Sequence, residues 1–331
     1  VVRKGSEIIS IILPFKNEEN YLAACVDSVI NQTDEHWELL LVDDNSNDQS
    51  PEIAQSFAHK DSRIKYIKNP KSGVIEAMKT GYQNSTGALI SRMDGDDIKT
   101  PDNLEQLRSK VAIGVIAVGQ VKYFREDGLG LGYQRYEEWI NELTQENRNF
   151  SEVYKECVLP SPSWLAYRSD FEKAGGFDSD LYPEDYDLCF RFYAAGLKTA
   201  GTDGVIHLWR DHAIRTTRMS PHYSNNAFLH LKVHYFLQID YDSDRPLILW
   251  GAGKKGKTVA KELIHAGVPF RWFTNNANKV GHDIYGVVLE DTDGLKSVEI
   301  GQMLVGVSDP SGIQQIQSVT AVSDLDVYWF F

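Results

Sequence analysis

Ile90-Ser91-Arg92-Met93-Asp94-Gly95-Asp96-Asp97-Ile98-Lys99-Thr100-Pro101 is the stretch on which the fold turns. It reads as a buried strand, Ala88 to Ile90, that runs out into three carboxylates held close by one glycine. Asp and Gly disfavour the interiors of helices and strands, so they belong to a loop at the strand's carboxyl end. Thr100 and Pro101 then restart the chain as N-cap and first residue of a helix. In an open α/β sheet, ligands bind in the crevice outside the carboxyl ends of the strands. Adjacent carboxylates repel one another unless a cation sits among them, and oxygen ligands of this kind suit Mg2+ or Mn2+. A solvated acidic turn is the alternative, but three acids within four residues favour the metal reading.

Upstream, Ile8 to Leu13 is an unbroken apolar run, as expected of a strand buried on both faces of a parallel sheet. A polar loop, Pro14 to Asn20, leads to Leu22, Cys25, Val26, Val29 and Ile30, which repeat at helical spacing. Leu39 to Val42 is a second buried strand and runs into Asp43-Asp44-Asn45-Ser46-Asn47-Asp48. Ser50 and Pro51 cap the next helix, Ile64 to Ile67 is a third strand, and Val74 to Tyr82 is a third helix. Strand and helix alternate, with polar or acidic loops after the strands. This is the pattern of an α/β fold with a doubly wound parallel sheet and right-handed crossovers. The loops after strands one, two and four then meet on one side and bring Lys16, Asp44 and Asp94 to Asp97 together.

The 331 residues are enough for two domains, and a hydrophobic content of 42% is that of a packed protein. A formal net charge of -13 argues against nucleic acid or an anionic membrane as the main partner. Cys25, Cys157 and Cys189 form neither a disulfide framework nor a zinc pattern, and suit a reducing cytosol. No run approaches a transmembrane length and no signal-peptide pattern opens the chain, which starts at Val1 and leaves room for an upstream piece.

Five pieces in order give a resemblance: Ile-Leu-Pro-Phe-Lys-Asn-Glu-Glu around 11 to 19, Leu-Val-Asp-Asp-Asn-Ser at 41 to 46, Arg-Met-Asp-Gly-Asp-Asp-Ile at 92 to 98, Pro-Glu-Asp-Tyr-Asp-Leu at 183 to 188, and Trp-Arg-Asp-His at 209 to 212. Residues 8 to about 218 resemble a family 2 glycosyltransferase of the GT-A fold. The resemblance implies that Pro14, Phe15, Lys16 and Asp44 hold the nucleotide base, commonly uracil, although the family usually has Tyr where this chain has Lys16. The family's DxD motif falls on Asp94 and Asp96. Asp96 is the implied principal ligand of Mn2+ or Mg2+ and Asp94 a contact to ribose or metal-bound water, with Asp97 a frequent extra acid. Arg210 and His212 are implied near the diphosphate, His212 also at the metal, with a surface or core histidine as the alternative; Arg92 is a candidate to reach phosphate, with helix packing or a surface role as its alternative. Arg215 and Arg218 extend this local basic patch.

Glu184 and Asp185 open a helix, where the dipole alone would favour acids. By the family's Glu-Asp motif, Asp185 is the implied base that takes a proton from an acceptor hydroxyl, with Glu184 beside it. One base and a separate metal imply single displacement with inversion. Tyr133, Tyr136 and Trp139 are candidates to stack on a sugar, but aromatics at helical spacing are read first as core.

After a polar linker, Leu247 to Trp250 is followed by Gly251-Ala252-Gly253-Lys254-Lys255-Gly256 and a helix. That context is the one a Rossmann phosphate loop requires, with Gly251, Gly253 and Gly256 as its glycines. The next strand ends in Thr274-Asn275-Asn276, where a dinucleotide site would want an acid. The expected division is a GT-A domain over 1–220, a helical connector and linker over 221–245, and a small Rossmann-like domain over 246–331. The expected function is a hexosyl- or hexosaminyltransferase that uses a nucleotide-sugar donor, with no nucleic acid as partner. Its acceptor would be a glycan or lipid-linked sugar, and its place the cytoplasm or the inner membrane face. A nucleotide-sugar-binding module without transfer activity is the alternative.

Overall fold

In a computed structural model of the chain, residues 6–125, 128–212, 227–298, 300–307, 310–320 and 324–331 are described. The chain divides into two compact units: Val1–Ser151 with Val158–Met219, and Glu152–Cys157 with Ser220–Phe331.

The first unit is built on the apolar runs. Strands β1 (Ile9–Phe15) and β2 (Trp37–Asp43) are almost wholly buried and pair in parallel, Ile11 opposite Leu39. Strand β3 (Ile64–Lys68) extends the sheet beside β2, and β4 (Leu89–Arg92) lies on the other side of β1. The remaining strands are β5 (Ile98–Lys99), β6 (Val115–Phe124), β7 (Trp164–Tyr167) and β8 (Lys198–Arg210). The sheet order is β3-β2-β1-β4-β7-β6-β8-β5, in which β7 runs antiparallel to both neighbours and β5 antiparallel to β8. The doubly wound plan is as the sequence pattern expects, and the antiparallel β7 and β5 make the sheet mixed though mostly parallel, as the GT-A resemblance implies.

Helices α1 (Leu22–Ile30), α2 (Ser50–Lys60) and α3 (Val74–Gln83) cover it. Leu22, Cys25, Val26 and Val29 form the buried stripe of α1. Gly81 lets α3 close on the sheet, since a Cβ there would stand 2.5 Å from Ile12 Cγ2. Two local expectations fail. Ser50 does not cap α2; its hydroxyl accepts from Glu18 N at 2.7 Å, while Asp48 Oδ1 takes the Ser50 N–H at 3.0 Å. Thr100 and Pro101 do not open a helix either. Ile98–Lys99 first pairs with β8, Thr100 N donates to Ile206 O at 3.0 Å, and α4 spans Asn103–Lys110. A sheet edge within reach satisfies those backbone groups better than an early helical turn. Beyond it come α5 (Leu131–Gln145), α6 (Arg168–Lys173) and α7 (Glu184–Ala194).

In the second unit, β9 (Leu247–Trp250), β10 (Arg271–Thr274), β11 (Asp283–Ile284), β12 (Val287–Asp291), β13 (Ile300–Val305) and β14 (Asp324–Trp329) are ordered β11-β12-β10-β9-β13-β14. Among these described strands only β11 is antiparallel, so this too is a Rossmann-like sheet. The helix Ala227–Ile239, set apart as a connector by the sequence pattern, is counted in this unit. So is the short segment 152–157, because Tyr154 stacks on Phe330 at 5.6 Å and donates to Asp240 Oδ2 at 2.6 Å. Among the described residues, no helix is long and apolar enough to cross a membrane. The three cysteines are free and buried.

Candidate functional site

The loops after β1 and β2 are laced together by side-chain caps. Ser46 Oγ accepts from Asn17 N at 3.1 Å and Asp48 Oδ2 from Glu19 N at 3.1 Å. Behind them Asp44 is 6% exposed and already held: Oδ1 accepts from Gly73 N at 2.8 Å and from Asn69 Nδ2 at 2.9 Å. Lys16, largely exposed, lies 3.7 Å from Asp44 Oδ2. Pro14 is partly buried at the end of β1. The Phe15 ring is 3% exposed within the main core cluster, so it packs inward and is not placed to stand in for a stacking Tyr. Its carbonyl instead accepts from Asp44 N at 2.8 Å.

At the end of β4 the acidic loop closes on β8. Buried Asp97 Oδ1 accepts the main-chain N–H of Arg210 at 2.8 Å, and Oδ2 stands 3.0 Å from His207 Nε2. Asp97 is thus a clamp between loop and strand. Arg210 Nε donates to the Asp96 carbonyl at 2.7 Å, and His212 Nε2 lies 2.9 Å from Asp96 Oδ2. Arg92, 9% exposed, donates from Nε to Asp94 Oδ1 at 3.0 Å and from Nη1 to Glu184 Oε1 at 3.1 Å. Helix α7 begins at that contact, so the acid pair at its N-terminus belongs to the same site. Burial, then the charge of Glu184, pushes Asp185 up to about 7, against the opposing pull of Arg92. Asp187 serves the scaffold instead. It pairs with Arg191 at 2.9 Å, which in turn donates to the carbonyls of Ala174 and Gly176.

Two residues of this site carry little mark in the sequence. Burial pushes Glu18 up to about 8, aided by the charges of Asp96, Asp94 and Asp48 and opposed by Arg210. The Glu-Glu pair in the first loop is its only signal. Tyr21 lies against Arg210 and His212, and nothing in its local pattern marks it. Tyr133, Tyr136 and Trp139 pack with Tyr123 and Trp209 as a core cluster, as expected of aromatics at helical spacing. Arg215, Arg218 and His222 lie outside the described residues.

Carboxylates gathered in this way are the donor type that a divalent cation site would use. Neighbouring ligands on an octahedron with 2.0–2.1 Å bonds stand roughly 2.9 Å apart; Asp96 Oδ2 and His212 Nε2 are separated by 2.9 Å. His212 Nδ1 is buried without a hydrogen-bond partner among the described residues. Both side chains are of donor types that a divalent ion accepts, and here they bond to each other. Among the described residues, no three His, Cys, Asp or Glu groups form a ready metal cage, so oxygens of a ligand or water would have to complete the shell.

In the second unit the glycines explain themselves sterically. A Cβ on Gly256 would stand 2.0 Å from Gly251 O, and Gly251 has φ +112°. Gly253 has open space and ordinary dihedrals at the helix N-cap. Lys279 Nζ binds the Ala252 carbonyl at 2.8 Å, and Lys255 lies over the Phe331 ring at 4.1 Å.

A doubly wound sheet with acids, an arginine and a histidine gathered at its strand ends defines an α/β unit of the nucleotide-binding kind. The model of glycosyl transferase family 2 matches residues 10–175, and the chain belongs to that family. It is 36% identical over 214 residues to the glycosyltransferase GlyG of Streptococcus pneumoniae, covering 62% of this chain and 71% of that protein. Glycosyltransferase GlyA of the same organism is 32% identical over 210 residues, 61% of this chain but only 30% of GlyA. In fold the chain is similar to S. aureus TarS 1-349 in complex with UDP-GlcNAc, with a TM-score of 0.53, 15% identity and coverage of 71% and 68% of the two chains. It is also similar to the mannosyltransferase PcManGT from Pyrobaculum calidifontis in complex with GDP-Man and Mn2+, with a TM-score of 0.50, 16% identity and coverage of 78% and 69%. The sheet of the first unit is accordingly of the GT-A type.

Proposed function

We propose that the chain is an inverting, metal-dependent glycosyltransferase that moves a hexose or hexosamine from a UDP-sugar to a hydroxyl of a glycan or lipid-linked acceptor. The observation that carries this reading is Arg92, whose one guanidinium bridges Asp94 at 3.0 Å and Glu184 at 3.1 Å and so joins the acidic loop to the acid pair of α7. Asp44, with Pro14, Lys16 and the main chain of Phe15 around it, receives the base. Its Oδ2 keeps acceptor capacity for a ring N–H such as that of uracil. Arg210 and Arg92 face the diphosphate, whose negative charge suits guanidinium forks. Asp96 and His212, supported by Asp94, would hold Mn2+ or Mg2+, which when bound supplies positive charge to the departing diphosphate.

Asp185 takes the proton of the acceptor hydroxyl. That oxygen bonds to the anomeric carbon as the bond from carbon to diphosphate oxygen breaks on the opposite face, and the centre inverts. With its carboxyl pushed up to about 7, Asp185 is matched to proton transfer near neutral pH. The buried free cysteines suit a cytoplasmic setting, and a lipid-linked acceptor would draw the protein to the inner membrane face.

Calorimetric titration with UDP, with and without Mn2+, tests the donor half. The reading expects heat that grows with the metal, and no metal-dependent heat would count against it. A donor panel that binds yet is neither hydrolysed nor transferred would leave a binding module in place of an enzyme.

A further inference from the structure

The Arg210 guanidinium lies over two rings, its central carbon 4.7 Å from the centroid of Tyr21 and 4.4 Å from that of Phe124. Tyr21 also meets the imidazole of His212, with ring centroids 5.0 Å apart at 39°. One tyrosine at the start of α1 therefore touches both groups that β8 and its extension bring to the acidic loop. The hydrogen bonds of Arg210 to described residues use its Nε, on Asp96 O, and its main-chain N–H, on Asp97, not its two terminal nitrogens. A guanidinium held against two rings, with its terminal donors not used on the described residues, is prearranged for an anion.

We propose that Tyr21 and Phe124 are positioning residues, a two-ring clamp that holds Arg210, and through Tyr21 also His212, ready for a diphosphate. This rests on the functional reading given above. Arginine has a long side chain with much rotamer freedom to lose on binding, and rings that fix it beforehand reduce that loss. A planar guanidinium stacks on aromatic rings, whereas the compact ammonium of lysine does not match them. Neither ring needs to touch the donor itself.

The test is a double-mutant cycle on UDP affinity, read by calorimetry in EDTA, where His212 has no cation to hold. Tyr21→Leu is expected to weaken UDP about fivefold to thirtyfold, the range of a partly desolvated cation–π contact. Tyr21→Phe, which keeps the ring, restores wild-type affinity. In an Arg210→Ala background, Tyr21→Leu should cost less than about twofold, because the group it positions is gone. In transfer assays with Mn2+, Tyr21→Leu raises the donor KM and Tyr21→Phe does not. Wild-type affinity in Tyr21→Leu, or an equal loss with and without Arg210, overturns the clamp. Should Tyr21→Leu fail to melt cooperatively, Phe124→Leu runs the same cycle from the other ring. Where the wild type gives UDP heat only with Mn2+, the same cycle is run in Mn2+ and the same outcomes decide it; no UDP heat in either condition overturns the functional reading and the clamp with it.

Discussion

The two sheets of this chain share a parallel, doubly wound plan, yet their strand ends carry opposite chemistry. Behind β1, β2 and β4 stand Asp44, Asp94 and Asp96, and burial, aided by the charges of Asp96 and Asp94, pushes Glu18 up to about 8. Behind β9 and β13 stand Gly251 and Gly306, whose role is close approach: a Cβ on Gly306 would lie 3.2 Å from Gly256 Cα. A parallel sheet supplies a crevice at its carboxyl end in both cases. What occupies the crevice, charge in one and packed backbone in the other, decides whether there is chemistry to be done.

That contrast can be broken or sharpened by experiment. Asp185→Asn should lower kcat for sugar transfer by about 10²–10⁴, the usual worth of a positioned base; full activity in this variant would remove Asp185 from the mechanism. Asp96→Asn, or metal removal with EDTA, should cost about 10²–10³ in kcat, as loss of one transition-state charge contact does. The pH profile of transfer should follow Asp185: the carboxyl titrates at about 7, so activity is full above that and falls by about tenfold per unit below it. A limb that stays in place in Asp185→Asn would assign it to another group. In the second unit, Gly256→Ala should lower stability by about 1–3 kcal/mol in denaturant melts, because its Cβ meets backbone that cannot yield cheaply. Gly253→Ala should change it by less than about 1 kcal/mol. If Gly253→Ala instead abolished a nucleotide-dependent rise in Tm, the second crevice would prove to be a ligand site and the contrast would fail.

Periodicity made much of the first sheet legible. Ile9 to Leu13 and Leu39 to Val42 lie within β1 and β2, and Glu184 begins α7 as the acid pair suggested. Long apolar runs and capping acids act locally, so they can be read locally. The two-residue strand β5 could not, because its partner, Leu208 opposite Ile98, lies far along the chain. Ser50 was misread for a related reason: its hydroxyl serves Glu18 across 32 residues and not its own helix. Phe15 shows the limit of motif position, since a ring only 3% exposed belongs to the core although the motif implies it at the base. Tyr21 and Glu18 gain their settings only from β8, and no window around them contains that information.

The Asp97 clamp has a bearing on how the molecule comes into being. It joins residues 113 apart in sequence, and the Asp96–His212 contact spans 116. Contacts of such separation form late, after the loop between them has been ordered. A chain emerging from the ribosome can thus lay down β1 to β4 with the acidic loop exposed and its charges uncompensated. Only when β8 arrives does Asp97 find Arg210, and the acids find their counter-charges. Truncation before residue 198 should therefore leave a folded-looking half-sheet with no affinity for nucleotide, since the last strand of the first unit completes its site.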